Sequence, residues 1–469
     1  MKKIAGPIMA VLTGVMVIGI PLGTANAEEY EALPVFRADE VLGADAVAGE
    51  DFVFDVNVTN DGAMNLFKVT SPDLTLRAYG NEHALARGRE LAAIAAIRKV
   101  KKTDAYIDGV NAAIAGPLAD VKEAITNPIQ TLENVPGAVE RLVDDIAAAV
   151  GNIGKDDGGG EDDQMFKDLI GYNKTKRRLA YDLGVDPYSS NPVLQDELGD
   201  LAWANFAGDA TVNVTVAVTT SGVGVVTGTL DRVTATDNLI LENGASTLAN
   251  ISRRHLTDMG LDKKKADGFL FNRVYPVSLQ TKLVQALAVL KRVPGRAEYI
   301  ALADTATGED GARFHQRTAE MIGAYHQQER PVVRLLTDGD AMVFVDSEER
   351  TIMPLAADYV VWTRQTAIRM KGIFSATGAR ALWLTGRASP LTRRHLSNAG
   401  IDIQEAAFDR LADRIEIVAP EQTEATQSKK SGEDKSATGG LSGMFGSVGK
   451  FIGDVGEESQ KQLKKLVPE

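Results

Sequence analysis

Residues Ala379–Ile403 read ARALWLTGRASPLTRRHLSNAGIDI, which parses as strand, loop, helix and strand. Ala381 to Leu384 is a short apolar strand, and Thr385 to Pro390 is a loop. Leu391 to Ala399 is a helix, and Ile401 to Ile403 opens a second strand. Pro390 sits where a first helical turn tolerates proline, and Gly400 where a helix can end on a left-handed residue. Four basic side chains crowd its loop and helix: Arg387 in the loop and Arg393, Arg394 and His395 on the helix. Ligands favour the carboxyl ends of such strands, and guanidinium groups suit phosphate or carboxylate. These four are therefore the candidate ligand-binding residues. The competing reading is that they coat a surface helix.

Nearly the same words occur earlier. Ser252-Arg253-Arg254-His255-Leu256 runs on to Gly260-Leu261-Asp262, against Thr392-Arg393-Arg394-His395-Leu396 and Gly400-Ile401-Asp402. The flanks differ, since Asp262 to Ala266 is charged helical text whereas Ile401 to Ile403 is a strand. Two independent helices are expected, with no duplicated domain.

Working outward, residues 331–419 read as a mixed α/β region. Val332 to Leu336 and Ala341 to Val345 flank Asp338-Gly339 as a hairpin, and Thr351 to Leu355 adds a third strand. A helix from Ala357 to Ala376 carries Trp362, and Arg414 to Val418 is a last strand. Residues 165–330 form a mainly helical domain with a β-hairpin near 210–230. Its helices run Phe166 to Leu183, Val193 to Phe206, up to Gly260, Lys263 to Val274, Leu279 to Val293 behind a Ser278 cap, and a pair within Ala297 to Gln328. His315 and His326 share a helical face, but eleven residues separate them by roughly 16 Å, too far to hold one ion.

Before this domain come a small β region at 28–81, amphipathic helices at 82–150, and a Gly/Asp linker at 151–164. In the β region Phe52, Phe54, Val56 and Val58 alternate with Val53, Asp55, Asn57 and Thr59 as one strand, and a turn follows at Asn60-Asp61-Gly62. In the first of those helices Leu85, Leu91, Ile94, Ile97 and Val100 mark the apolar side, and Arg87, Arg89, Arg98, Lys99, Lys101 and Lys102 a wet face. Lys174, Lys176, Arg177 and Arg178 are likewise expected in solvent. The fold class is α+β: predominantly helical, with a small N-terminal antiparallel sheet and a C-terminal mixed α/β portion.

Residues 1–27 have the form of a Sec-type signal peptide. Lys2 and Lys3 precede an uncharged, largely apolar run from Ile4 to Leu22, and Ala25-Asn26-Ala27 is an A-x-A cleavage site. Export to the periplasm or medium is expected, and the chain contains no cysteine for disulfides or Cys-ligated metals. At the other end, 420–440 reads as a disordered linker. Residues 441–469 read as an amphipathic helix with Leu441, Met444, Phe445, Val448, Phe451, Ile452 and Val455 on one side. Its glycines each lower helicity by about 1 kcal/mol, so it should form against a protein partner or a membrane surface. The valine-rich, uncharged 210–230 hairpin packs on a core or, in the sharper reading, inserts into a membrane.

The 469-residue chain is 44% hydrophobic and 25% charged, ordinary values for a globular protein, and its formal charge is −13. A net acidic chain without a long basic run is a poor nucleic-acid binder. There is no H-E-x-x-H, no G-x-S-x-G and no strand–G-x-G-x-x-G–helix unit, so no catalytic residue, metal or cofactor is assigned. The block Asp168 to Phe206, with Leu-Trp-Leu-Thr-Gly-Arg-Ala-Ser-Pro at 382–390, resembles an uncharacterised family of exported bacterial proteins. That resemblance implies a recurrent architecture and no activity. The expectation is an exported, non-enzymatic protein that binds a partner or the cell-envelope surface. The alternatives are an enzyme or anionic-ligand binder using Arg387 to His395, and a membrane-active protein acting through 210–230.

Overall fold

The structure, a computed structural model, describes residues 29–116, 161–208, 234–339 and 341–411. The expected signal peptide, the 210–230 hairpin, the strand at 414–418, the linker at 420–440 and the helix at 441–469 lie outside the described residues, as do 117–150.

The alternation at Phe52 to Val58 builds the expected antiparallel sheet, with additions. Strand β1 (Val35–Arg37) leads into helix α1 (Ala38–Leu42), and β2 (Val53–Phe54), β3 (Asn57–Asn60), β4 (Asn65–Thr70) and β5 (Thr75–Tyr79) follow. The order is β1-β3-β4-β2, with β5 on β4. β2 and β3 are the one expected strand, interrupted at Asp55-Val56. There the Val56 carbonyl accepts from the Ala38 N–H, and the Val56 side chain turns outward. Phe52, Phe54 and Val58 still point inward.

Helix α2 (Asn81–Val100) lies on this sheet. It shares one apolar core with α3 (Asp104–Ala115), α4 (Glu161–Asp182) and α5 (Pro192–Ala207). α4 begins inside the expected 151–164 linker. α5 starts as its sequence demands, with Pro192 in the first turn and the Asn191 side chain accepting from Val193 and Leu194 N–H. Trp203 is buried edge-on to Tyr172. The expected wet face of α2 needs correction, because neighbours cover most of its circumference. Arg87 and Glu90 are buried beside Ala84, Leu91 and Ile94. Arg177 of α4 is buried too, with Nε donating to the Leu241 carbonyl at 3.0 Å.

Six helices follow: α6 (Ala235–Glu242), α7 (Ala245–Asp258), α8 (Lys263–Leu270), α9 (Val277–Ala288), α10 (Arg296–Ala303) and α11 (Glu309–Gln328). α8 and α9 are shorter than their apolar text suggested. α9 starts at Val277, and the Ser278 hydroxyl donates to Asp186 instead of capping. Leu283, Leu287, Ile322 and Tyr325 form their common core.

That core continues onto one face of a second sheet. β6 (Val332–Asp338), β7 (Ala341–Asp346) and β8 (Thr351–Leu355) run antiparallel, while β10 (Ala381–Leu384) and β12 (Asp402–Gln404) are parallel to β8, in the order β12-β10-β8-β7-β6. Phe344, Ile352 and Trp383 face the helices. Val343, Leu382 and Leu384 face α12 (Arg364–Thr377) and α13 (Pro390–Asn398). Cover on both faces explains why β7 is buried throughout, and apolar from Ala341 to Val345, instead of alternating. The expected 357–376 helix begins only at Arg364, capped by Thr363. Ahead of it, β9 (Tyr359–Val360) pairs in parallel with β11 (Arg387–Ala388). α14 (Ala407–Arg410) closes the described chain.

The two Arg-Arg-His helices, α7 and α13, end identically and then diverge. Leu261 N–H donates to Leu256 O at 3.0 Å, and Ile401 N–H to Leu396 O at 2.9 Å. Gly260 and Gly400 sit between at φ +99° and +70°. This is a Schellman close, with Leu256 and Leu261 buried in one core and Leu396 and Ile401 in another. Next, Asp262 caps α8 while Asp402 opens β12. The repeated words encode a helix terminus.

Asp358 ties the two halves together. Its carboxylate accepts from Asn65 N–H at 2.9 Å and from Asn81 N–H at 3.1 Å. It thus caps α2 from across the molecule, where Gly80 offers no side chain of its own.

Candidate functional site

The four candidate residues of the opening stretch do not converge. Arg387 lies exposed in β11 and forms no ion pair with the described residues. Arg393 Nε donates to Glu405 at 2.8 Å, and Arg394 Nη2 to Glu29 at 2.7 Å. The His395 ring stacks flat on Trp362, with centroids 4.7 Å apart and planes at 9°. The N-terminus of α13 is already engaged by the chain's own early residues. The Glu31 carboxylate accepts from Trp362 N–H at 2.8 Å and from the Ser389 hydroxyl.

The concave site lies elsewhere. A cleft of about 430 Å³ opens between α2, the end of α4, α6, α9 and α11. Helical spacing sets its walls. Glu82, Leu85, Ala86 and Arg89 come from one face of α2; Arg313, Gln316, Arg317 and Glu320 come from one face of α11. Lys282 of α9 and Thr236 and Asp237 of α6 close one side, and Arg177, Tyr181 and Asp186 another.

Charge in this cleft is interleaved. Arg317 bridges Glu82 and Glu320, each at 2.7 Å. Lys282 Nζ lies 2.9 Å from Asp237, whose other oxygen closes a capping box with Thr234. The Glu82 carboxyl is 60% exposed at the mouth. Its desolvation is outweighed by Arg317, Arg313, Lys282 and Arg89, which hold its pKa below the usual range. Burial acts on Lys282 as well, but Asp237, Glu320 and Asp186 raise its pKa above that of a free lysine. Glu320 moves upward because burial outweighs Arg317 and Lys282. Two polar groups stand apart: the Gln316 amide and the Thr236 hydroxyl line the cleft at 4% and 7% exposure without a hydrogen-bond partner among the described residues.

Beneath the mouth, a buried network joins the halves of the molecule. Arg87 donates to Glu90 at 2.7 Å and to Glu309 at 3.0 Å. Glu90 also accepts from Ser189 and from Asn191, and Glu309 from Arg313 at 2.6 Å and from Ser190. His83 lies 3.8 Å from Glu309. Burial, helped by Arg313 and Arg87, drives its pKa far below neutral.

Among the described residues, no cluster of three or more histidines and carboxylates is arranged to hold a metal ion. No described helix is long and apolar enough to cross a membrane. No family model, curated protein or solved structure matches the chain.

Reading the sequence missed the cleft because its charged residues sit at spacings that equally describe a wet helical face. One signal was present. Lys282 and Gln285 interrupt the apolar text of α9, and polar groups inside such text mark a buried polar surface.

Proposed function

We propose that this chain is an exported, non-enzymatic binding protein that captures a small polar molecule in the cleft between α2, α6, α9 and α11. The observation that carries this reading is the pair of polar side chains, Gln316 and Thr236, that line the cavity with no hydrogen-bond partner among the described residues. Both are open to the cleft, so a ligand can bond to them in place of water. The volume suits a metabolite-sized molecule. Export rests on the basic, apolar and A-x-A pattern of residues 1–27. A binding role is supported by the cleft's charges being mutually neutralised. The neighbouring histidine, His83, is a weak base at neutral pH because its pKa is depressed.

Thermal denaturation of the full chain against a metabolite library tests the reading. At least one small polar molecule should raise the midpoint by several degrees, and Ala86→Phe, which fills the cavity, should abolish the rise. A library without a single stabilising member, or a shift that survives Ala86→Phe, would sink it.

A further inference from the structure

The charged side chains of the cleft cancel, residue against residue. Five cations and five carboxylates line it. Arg317 is shared between Glu82 and Glu320 at 2.7 Å each, and Lys282 lies 2.9 Å from Asp237. Arg313 is held by Glu309 at 2.6 Å, and Glu90 by Arg87 at 2.7 Å. A charged ligand would find these counter-charges already engaged. It would either break a pair or bring an unmatched charge into a shielded site. What the ion pairs leave over is hydrogen-bonding capacity. A carboxylate has about four acceptor directions and a guanidinium about five N–H donors, more than one pairing uses. Gln316 adds an amide with donors and an acceptor, and Thr236 a hydroxyl.

Much of the remaining wall is apolar. Leu85 of α2, Ile240 of α6 and Val185 line it together with Tyr181, which lies at the end of α4 and is 39% exposed. The cleft thus sets an open aromatic ring and aliphatic side chains beside a surface that is neutral but dense in donors and acceptors. We infer that it binds a neutral polyhydroxylated molecule of monosaccharide to disaccharide size. A sugar hydroxyl donates and accepts at one oxygen, so it can bond to both members of an ion pair without separating them. The C–H face of a sugar ring is apolar and suits the face of Tyr181, whose own hydroxyl gives the ring a polar tip. A volume of about 430 Å³ has room for such a molecule. This inference rests on the small-ligand reading above and narrows it to one chemical class, recognised without net charge.

The test is calorimetric titration of the full chain with neutral mono- and disaccharides, followed by the amino-sugar and uronic-acid counterparts of each binder. At least one neutral sugar should bind saturably, with affinity falling at least about tenfold for either charged counterpart. Its affinity should change less than about twofold between roughly 50 and 500 mM salt. Tyr181→Ala should weaken binding about tenfold while leaving the free protein's melting midpoint nearly unchanged. Altering the ligand needs no variant to fold, so that arm stands independently. Equal or tighter binding of a charged counterpart would overturn the inference. So would binding of ionic metabolites with none of the neutral sugars, an outcome that leaves the small-ligand reading intact. Silence from every small molecule, neutral or charged, would overturn both.

Discussion

Helices α11 and α13 each carry two arginines within one turn of a histidine, and they put them to opposite uses. On α13, Arg393 and Arg394 are 48% and 58% exposed, and each meets a single carboxylate in water. On α11, Arg313 and Arg317 are 20% and 24% exposed, and their partners are shared with other helices. His395 covers the face of Trp362, whereas His315 is buried between Tyr299 and Phe314. Density of basic residues in the sequence is greatest where their energetic weight is least. A guanidinium shielded from water interacts several times more strongly than one at the surface, so the cleft and not the arginine-rich loop is where charge has consequences.

The largest effect should come from removing the cation under the cleft. Arg87 holds two carboxylates, Glu90 and Glu309, that are otherwise buried. Arg87→Met leaves Glu90, only 3% exposed, without its ion-pair partner, and should lower stability by about 3–5 kcal/mol in urea denaturation. Arg393→Met, on the exposed helix, should change it by less than about 1 kcal/mol. Equal costs for the two variants would break the contrast between the helices.

The histidines sharpen it through pH. Burial pushes His315 down to about 4, from an ordinary value of 6.5, and its Nδ1 has no partner. A histidine with a depressed folded pKa takes up its proton more readily unfolded. The stability it allows is therefore complete above 6.5 and is lost as pH falls toward 4. By pH 5 the loss from this group should be about 2 kcal/mol. His315→Phe should flatten the stability profile between pH 7 and 5. A profile unchanged by His315→Phe would show that the acid sensitivity lies elsewhere, with His83 the next group to replace.

These contrasts mark how far the sequence could be read. Strands β6, β7, β8, β10 and β12 were legible because short apolar runs lay between turn signals, and the Schellman ends at Gly260 and Gly400 because glycine there has a geometric reason. Val56 was misleading: alternation placed it inward, but a hydrogen bond from Ala38, eighteen residues earlier, breaks the strand. The start of α12 was missed since Ala357 to Trp362 has helix-compatible composition, and what extends it is pairing of Tyr359-Val360 with Arg387-Ala388. Arg87 was placed in water because periodicity reports only the most apolar face of a helix. It cannot report that α11 and the Ser189–Asn191 loop cover the polar face as well. The cleft was hidden for the same reason, being a polar face turned toward another polar face.

The smallest effect belongs to the surface pair that fastens the early chain to α13. Arg394 and Glu29 lie 2.7 Å apart, but Glu29 is 71% exposed and water competes for both groups. A double-mutant cycle on Arg394→Ala and Glu29→Ala should give a coupling of about 0.2–1 kcal/mol, fading as salt rises past the screening length. Glu31, two residues on, provides the internal control. Its carboxylate accepts a backbone N–H from Trp362 and the Ser389 hydroxyl, both on buried residues; Ser389 can turn to Thr392, so Glu31→Ala strands the Trp362 N–H. That substitution should cost about 1–3 kcal/mol and show little salt dependence. If Glu29→Ala instead proves the more costly of the two, depth is not what separates strong from weak charge in this molecule, and the contrast between α11 and α13 falls with it.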